Sequence, residues 1–495
     1  MKAIMIMMDT LNRHMLKVYD AAGRAITPNI DRLARRSLVF DNHFIGSAPC
    51  MPARRDLMTG RINFLERGWG PIEPFDVTFP TLLREKGVFT HIATDHCHYA
   101  ELGGEGYMQQ YDTWDLIRGQ ETDVWASQVR DPQMPRAYLG QAQRQYQCNR
   151  QHFKTDADHP TPRTFAAATQ WLRDNEGADN YFLQVEVFDP HEPFDCTEAF
   201  KALYPDHYQG PLYEWPRYDA LNADEGPEAV DHLRNLYCAT LSMADKWLGK
   251  LLDEMDRQNL WEDTLVIFTS DHGHMLGEHG VTGKNCFHAW NEMCRIPLFI
   301  HLPGDERASQ RCAALTQTID LMPTILEHFG CTAQGPIHGR SLWPLLYGAQ
   351  KRVRDYALYG WFGMPVNLTD GYYTYFRAPK SRENAPLYAY MSMMTSYYKY
   401  WWRDIPEGAL DVGRYLSWTD MPVYCVDMNQ CGEPLRENVR REDSLFRSLL
   451  FSIHDDPGQR HPLRDDALEE KFIRALRAQL REHDAPAEQF QRLGL

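Results

Sequence analysis

Three stretches of this 495-residue chain place a carboxylate or an imidazole where an apolar run stops. Ala3 to Met8 ends at Asp9, Tyr181 to Phe188 ends at Asp189-Pro190-His191, and Thr264 to Thr269 ends at Ser270-Asp271-His272-Gly273. A short continuous apolar run predicts a strand buried on both faces, as in a parallel sheet, and such sheets bind ligands outside the carboxyl ends of their strands. One sheet edge can therefore collect Asp9, His191, Asp271 and His272. Oxygen donors at that edge suit a divalent cation, although either aspartate alone reads better as a helix cap or turn residue. A further group is Cys50, in Ser47-Ala48-Pro49-Cys50-Met51-Pro52-Ala53-Arg54. By itself, a cysteine beside a proline-rich turn reads as a buried, inert thiol, and thiols are poor ligands for calcium or magnesium.

The elements that position these residues follow from the apolar pattern. Thr27 to Ala34 has helical spacing with Pro28 near its start, and Leu38-Val39-Phe40 reads as a short strand. Thr81 to Lys86 reads as a helix closed by Gly87, and Val88 to Thr94 as a strand ending at Asp95-His96-Cys97-His98. Helices follow over Phe165–Leu172, Val230–Met255 and around Thr318–Leu326, with a strand over Ile296–Ile300. This alternation predicts an α/β fold with a mostly parallel central sheet flanked by helices on both faces. The polar stretch from about Gln109 to Arg163 takes no assigned structure and is expected to wrap the surface near the cleft. From about Asp355 the chain turns rich in Tyr, Trp and Phe, with turns such as Thr369-Asp370-Gly371, which predicts a small antiparallel sheet. A last helix over Asp466–Glu482 carries the stripe Leu468, Phe472, Leu476 and Leu480. The expected division is an α/β domain over 1–355 and a C-terminal α+β subdomain over 356–495.

The net charge of −16 argues against nucleic acid, whose phosphates need a basic face. Charged residues at 24% and hydrophobic residues at 43% fit a globular enzyme. No run reaches the roughly 18 apolar residues of a membrane span. The first apolar run is too short for a signal sequence and is broken by Asp9, so the expected compartment is the cytoplasm. Eleven cysteines without paired spacing suit reduced thiols. A homo-oligomer remains open at this stage.

Cys50-Met51-Pro52-Ala53-Arg54 fits Cys-x-Pro-x-Arg and is followed by Thr59-Gly60-Arg61. This resembles the signature of the type I sulfatases, in the alkaline phosphatase superfamily, whose cysteine is oxidised to formylglycine. The order of Thr27-Pro28-Asn29-Ile30-Asp31, the Cys50 motif, Asp189-Pro190-His191, Ser270-Asp271-His272-Gly273, Gly283-Lys284 and Asp320 to Thr324 follows that family across most of the first 345 residues.

The resemblance implies that Asp9, formylglycine 50, Asp271 and His272 hold one divalent ion, calcium first, with manganese or magnesium as alternatives. It implies that Arg54 orients the aldehyde hydrate, and that His191 and Lys284 contact the ester oxygens, one of them protonating the leaving alcohol. One hydroxyl of the hydrate attacks sulfur and expels the alcohol; proton loss from the other then regenerates the aldehyde and expels sulfate. A formylglycine-generating or anaerobic sulfatase-maturating enzyme is the partner this chemistry requires.

Three features depart from the common pattern. Many sulfatases carry two adjacent aspartates after the first strand, where this chain has Met8-Asp9, and many have Asn where it has His272. A single aspartate there with an Asp-His pair is more similar to the phosphonate monoester hydrolase and choline sulfatase branches. The family's Gly-Lys-x-His segment is replaced by Asp95-His96-Cys97-His98, so His96 or His98 is expected to take over its anion contact. His274, His279, Asn285 and His288 are candidates to line the substrate pocket. The leading expectation is a sulfatase acting on a sulfate monoester, a sugar sulfate being one such substrate. The alternatives are a phosphonate monoester or phosphodiester hydrolase using the same site, and a non-catalytic sulfated-glycan binder with an unmodified Cys50.

Overall fold

The computed structural model describes residues 1–284, 287–396, 399–400, 405–431 and 443–495. At its centre, strand Lys2–Met8 lies between Tyr181–Val187 and Thr264–Thr269 and runs parallel to both, with Lys2 opposite Tyr181 and Thr264. The register aligns the carboxyl ends of all three strands. The full sheet has eight strands, in the order Arg311–Gln317, Leu38–Phe44, Leu298–His301, Thr264–Thr269, Lys2–Met8, Tyr181–Val187, Phe89–Thr94 and Thr113–Leu116. Only Leu298–His301 is antiparallel to its neighbours.

The first strand explains the layering. Ile4, Ile6 and Met8 point into one apolar core and Ala3, Met5 and Met7 into another, as the two-residue period of a strand requires. Helices Pro28–Arg35, Pro160–Asp174 and Pro227–Arg257 cover the first face, bringing Leu33, Phe165, Leu241 and Leu248. Helices Cys50–Thr59, Phe79–Glu85 and Leu321–His328 cover the second, bringing Leu57, Leu83 and Ile325. Each fully buried Leu or Ile of this kind contributes roughly 1.5–3 kcal/mol, so the sheet edge is held from both sides.

Strand Leu38–Phe44 runs past the apolar Leu38-Val39-Phe40, because Asn42, His43 and Phe44 pair with Leu315, Thr316 and Gln317. Cys50–Thr59 is a helix in which every residue is buried. Pro52 falls in its first turn, where a missing N–H costs little, and Gly60 closes it at φ 64°, donating to the Asp56 carbonyl.

Beyond the large sheet, Leu449–Ser452, Tyr373–Arg377, Val366–Thr369, Ala357–Trp361 and Ser47–Ala48 form a second sheet of five strands. Its first four strands are antiparallel, and the helix Asp466–Glu482 packs Phe472, Leu476 and Leu480 against it. Its last pair is parallel, Ser47 facing Gly360 and Ala48 facing Trp361. The segment leading into Cys50 is therefore a strand of the C-terminal sheet. Among the described residues no helix is long and apolar enough to cross a membrane.

Candidate active site

Ligand-type atoms of Asp9, Cys50, Asp271 and His272 lie within 4.8 Å of one another, and all four residues are buried. Asp9 follows the first strand, with its N–H on the Val187 carbonyl at 2.9 Å. The turn after Thr264–Thr269 is fixed by Ser270 Oγ, which donates to the His272 carbonyl at 2.7 Å. His272 Nδ1 is 2.9 Å from the Gly273 carbonyl, so in the neutral ring Nδ1 carries the proton and Nε2 the lone pair. Nε2 is 3.2 Å from Cys50 Sγ. Burial lowers the imidazole's pKa and, with Asp9 and Asp271 nearby, pushes the Cys50 thiol well up.

Arg54 lies four residues after Cys50, hence on the same side of the helix. Its Nε donates to Glu186 Oε1 at 2.8 Å, Nη2 to Asp9 Oδ2 at 2.7 Å, and Nη1 to Asp271 Oδ2 at 2.6 Å and the Cys50 carbonyl at 3.2 Å. Burial works against the guanidinium charge, yet Glu186, Asp9 and Asp271 hold it firmly protonated. Against the same burial, Arg54 keeps the Asp9 carboxyl far below its ordinary range.

Thr10 adopts φ 61°, an uncommon conformation for a β-branched residue and a sign of stored strain. There its Oγ1 donates to Asp9 Oδ1 at 2.5 Å and accepts from Lys284 Nζ at 3.0 Å, while its N–H donates to Asp271 Oδ1 at 3.0 Å. Burial opposes the Lys284 charge, but Cys50, Glu192, Asp9 and Asp271 raise its pKa above the usual lysine value. Glu192 Oε1 stands 4.0 Å from Nζ.

His191 stacks on Phe188 with ring centres 4.0 Å apart and places Nδ1 2.6 Å from the Glu192 carbonyl. That contact puts the ring proton on Nδ1 and leaves Nε2 as the basic nitrogen. Burial lowers the His191 pKa to about 3. His96 also reaches the cluster: its Nδ1 is 3.7 Å from Asp9 Oδ2, and neither ring nitrogen has a hydrogen bond among the described residues. His98 lies one ring further out, 5.1 Å from His96 between ring centres.

Of the remaining histidines, His274 places Nε2 3.1 Å from Glu192 Oε2. His279 stacks on Trp290 at 3.9 Å, and His288 packs against Phe376 and Trp290 with Nε2 3.2 Å from Ser444 Oγ. That pair stands in an aromatic layer with Trp290, Phe376 and Phe451 beside the C-terminal sheet. Asn285 lies outside the described residues.

Sequence reasoning passed over Glu186, Glu192 and Thr10. Glu186 had a visible signal: in Tyr-Phe-Leu-Gln-Val-Glu-Val, Gln184 and Glu186 share one face of a fully buried strand, and two polar side chains there need partners. Gln184 Nε2 and Tyr99 Oη both donate to Glu186, at 2.7 and 3.0 Å.

Charge and donor type test whether a metal fits. Four buried carboxylates, Asp9, Glu186, Glu192 and Asp271, surround two cations, Arg54 and Lys284. Two negative charges remain for a divalent ion to balance, and unbalanced buried charge is strongly disfavoured. The carboxylate oxygens and His272 Nε2 suit such an ion; the Cys50 thiol suits a hard one only after conversion to an oxygen donor.

The sulfatase family's sequence profile matches residues 2–331, and that of the N-sulphoglucosamine sulphohydrolase C-terminal region matches residues 277–401. A multifunctional alkaline phosphatase superfamily protein, PehA, of Trinickia caryophylli is 29% identical over 383 residues, covering 65% of this chain and 71% of that protein. The choline-sulfatase of Rhizobium meliloti is 25% identical over 497 aligned positions, covering 90% and 91%. Among solved structures, the phosphonate monoester hydrolase of Agrobacterium radiobacter superposes with a TM-score of 0.69 at 18% identity, covering 97% of this chain and 96% of that one. That likeness is one of fold.

Proposed function

The chain belongs to the sulfatase family, and on that premise we propose that it hydrolyses a sulfate monoester at the Asp9–Cys50–Asp271–His272 cluster, using residue 50 as formylglycine. The observation that carries this reading is the position of Cys50 Sγ, 3.2 Å from His272 Nε2, on a residue whose carbonyl accepts from Arg54 Nη1 at 3.2 Å. A thiol is mismatched to a carboxylate-lined site, and oxidation to an aldehyde hydrate replaces sulfur with two oxygens.

Asp9, Asp271, His272 and residue 50 would hold the divalent ion. The imidazole makes the set more suited to manganese than to calcium or magnesium. When present, formylglycine supplies an oxygen nucleophile and the ion a fixed positive centre beside it.

The other side chains divide the remaining work. Arg54 has each of its nitrogens committed to carboxylates, so it positions Asp9 and Asp271 instead of reaching the substrate. Lys284 stays charged and offers an ammonium to the sulfate oxygens. His191 is neutral in the free site, and a sulfate anion placed against it favours the imidazolium, which then protonates the departing alkoxide from Nε2. Burial of all these groups excludes bulk water and strengthens each interaction.

The deciding experiment joins mass spectrometry of the peptide containing residue 50 with turnover of sulfate esters by the wild type and Cys50→Ala. A formylglycine mass and activity that vanishes in the variant support the reading; an active Cys50→Ala enzyme defeats it. A second reading keeps the apparatus and takes a phosphonate monoester or phosphodiester. Like a sulfate monoester, these are singly charged tetrahedral anions, so the same cations and donors can meet either kind. Paired nitrophenyl sulfate and phosphonate esters separate the two, much faster phosphonate cleavage selecting the second. A sulfated sugar is one proposed substrate type, and a formylglycine-generating or anaerobic sulfatase-maturating enzyme the proposed partner.

A further inference from the structure

A second group of metal-type donors lies beyond the sulfate cluster. Cys97 Sγ, a His98 ring nitrogen and a Glu121 carboxylate oxygen are all within 4.8 Å of one another, and the three residues are buried. Cys97 and His98 begin the short helical turn after strand Phe89–Thr94, and Glu121 comes from the polar stretch that wraps back over it.

Three further details point to a ligand. His98 Nδ1 is 2.7 Å from Glu101 Oε2, which fixes the ring and presents Nε2 to Glu121; a carboxylate behind the far nitrogen is the common support of a metal-bound histidine. Glu121 Oε2 stands at ion-pair distance from His98 Nε2, 3.6 Å, and among the described residues it accepts no hydrogen bond although the residue is only 9% exposed. A buried carboxylate oxygen without a hydrogen bond is costly unless a cation meets it, and a metal ion held between Glu121 and His98 would do so more closely than the imidazole alone. Finally, Glu121 adopts φ 43°, an uncommon conformation for a residue other than glycine.

We propose that Cys97, His98 and Glu121 form a second divalent-metal site, of the zinc class. One thiolate, one imidazole and one carboxylate match zinc or cobalt and disfavour calcium and magnesium. On binding, the Cys97 S–H bond breaks, its proton leaves to solvent and the sulfur lone pair forms the metal–sulfur bond, with no change of oxidation state. Three protein donors leave a fourth position for water or a substrate atom. The site is adjacent to the first one: His98 meets His96 edge-on, and His96 Nδ1 is 3.7 Å from Asp9 Oδ2. It stands on its own geometry and does not depend on sulfate being the substrate.

Cobalt tests it. The full-length Cys50→Ala protein, which lacks the first site's thiol, is stripped of metal and titrated with Co²⁺. The expected result is a thiolate-to-cobalt charge-transfer band in the near ultraviolet, displaced by Zn²⁺. The band should disappear in Cys50→Ala/Cys97→Ala. In Cys50→Ala/Glu121→Gln the cobalt affinity should fall by about tenfold or more. No band in Cys50→Ala, or a band that survives Cys97→Ala, overturns the proposal. Should the Cys97 variant fail to fold, Glu121→Gln decides, and unchanged affinity there also overturns it, leaving His98 as an imidazolium between two glutamates.

Discussion

Arg54 donates through Nη2 to Asp9 Oδ2 at 2.7 Å, joining the helix that carries Cys50 to the end of the first strand. Its other nitrogens reach Glu186, on one flanking strand, and Asp271, in the turn that follows the other. A flexible ammonium cannot satisfy three carboxylates in this planar fork. Arg54→Lys is expected to lower kcat/KM for a sulfate ester by at least about a hundredfold and to destabilise the fold by roughly 3–5 kcal/mol, the cost of breaking a buried ion pair. Steady-state kinetics and denaturant unfolding measure both, and near-wild-type values would remove Arg54 as the organiser of the site.

Cys50→Ala is expected to abolish turnover while costing only on the order of 1 kcal/mol, because a single sulfur is removed from a buried helix. Turnover beside a thermal melt reports the two effects separately.

His191 is assigned the leaving-group proton. His191→Gln should therefore slow esters of aliphatic alcohols by about 10²–10⁴-fold, and nitrophenyl esters, whose leaving groups need no proton, far less. Lys284→Ala should depress both kinds alike. Equal losses for both esters in His191→Gln would transfer the proton donor elsewhere.

Chelation of divalent metal should abolish activity and lower the melting temperature, since an ion bound at about a hundred times its Kd stabilises by about 2.7 kcal/mol. Manganese should restore activity better than calcium. A chelated enzyme that keeps full activity would argue against any metal among Asp9, Asp271 and His272.

Stability should also depend on pH through groups far from the chemistry. His43 is fully buried, with Nδ1 2.9 Å from Thr316 Oγ1 and no partner on Nε2, and burial, aided by Arg354 and Arg13, lowers its pKa to about 3. A depressed histidine pKa favours the neutral, folded form, so its contribution is complete above about 6.5 and is lost as pH falls toward 3. The slope for one such group is about 1.4 kcal/mol per pH unit. Denaturant unfolding between pH 7 and 5 should show a shallower loss for His43→Gln than for the wild type.

Much of this arrangement was legible in the sequence, for a physical reason. The strands that end at Asp9, Asp189 and Ser270 are buried on both faces, so their apolar runs stop where the sheet stops, and the chemistry begins at the next residue. The Asp466–Glu482 helix was legible to its ends because its apolar stripe and the Asp465 cap lie in one local segment. What local pattern cannot carry is partnership across distance. Leu38–Phe44 gains its second half from pairing with Arg311–Gln317, some 270 residues away. Glu186 and Glu192 look like isolated charges until the fold sets Arg54 and Lys284 against them. Cys97 carries no assignment in the sequence; Glu121, folded back from the unassigned polar stretch, is what gives it a neighbour of metal-ligand type.

The pairing of Ser47–Ala48 with Gly360–Trp361 sets an order of events during biosynthesis. Cys50 is 2% exposed once the chain is folded, and the strand before it is locked by residues made some three hundred positions later. If residue 50 acts as formylglycine, as proposed, the enzyme that oxidises it has to reach the cysteine while the C-terminal sheet is still missing or has come apart. On the proposed formylglycine reading, that window closes with folding, and a chain that completes its last sheet with Cys50 unmodified is expected to be folded and inactive.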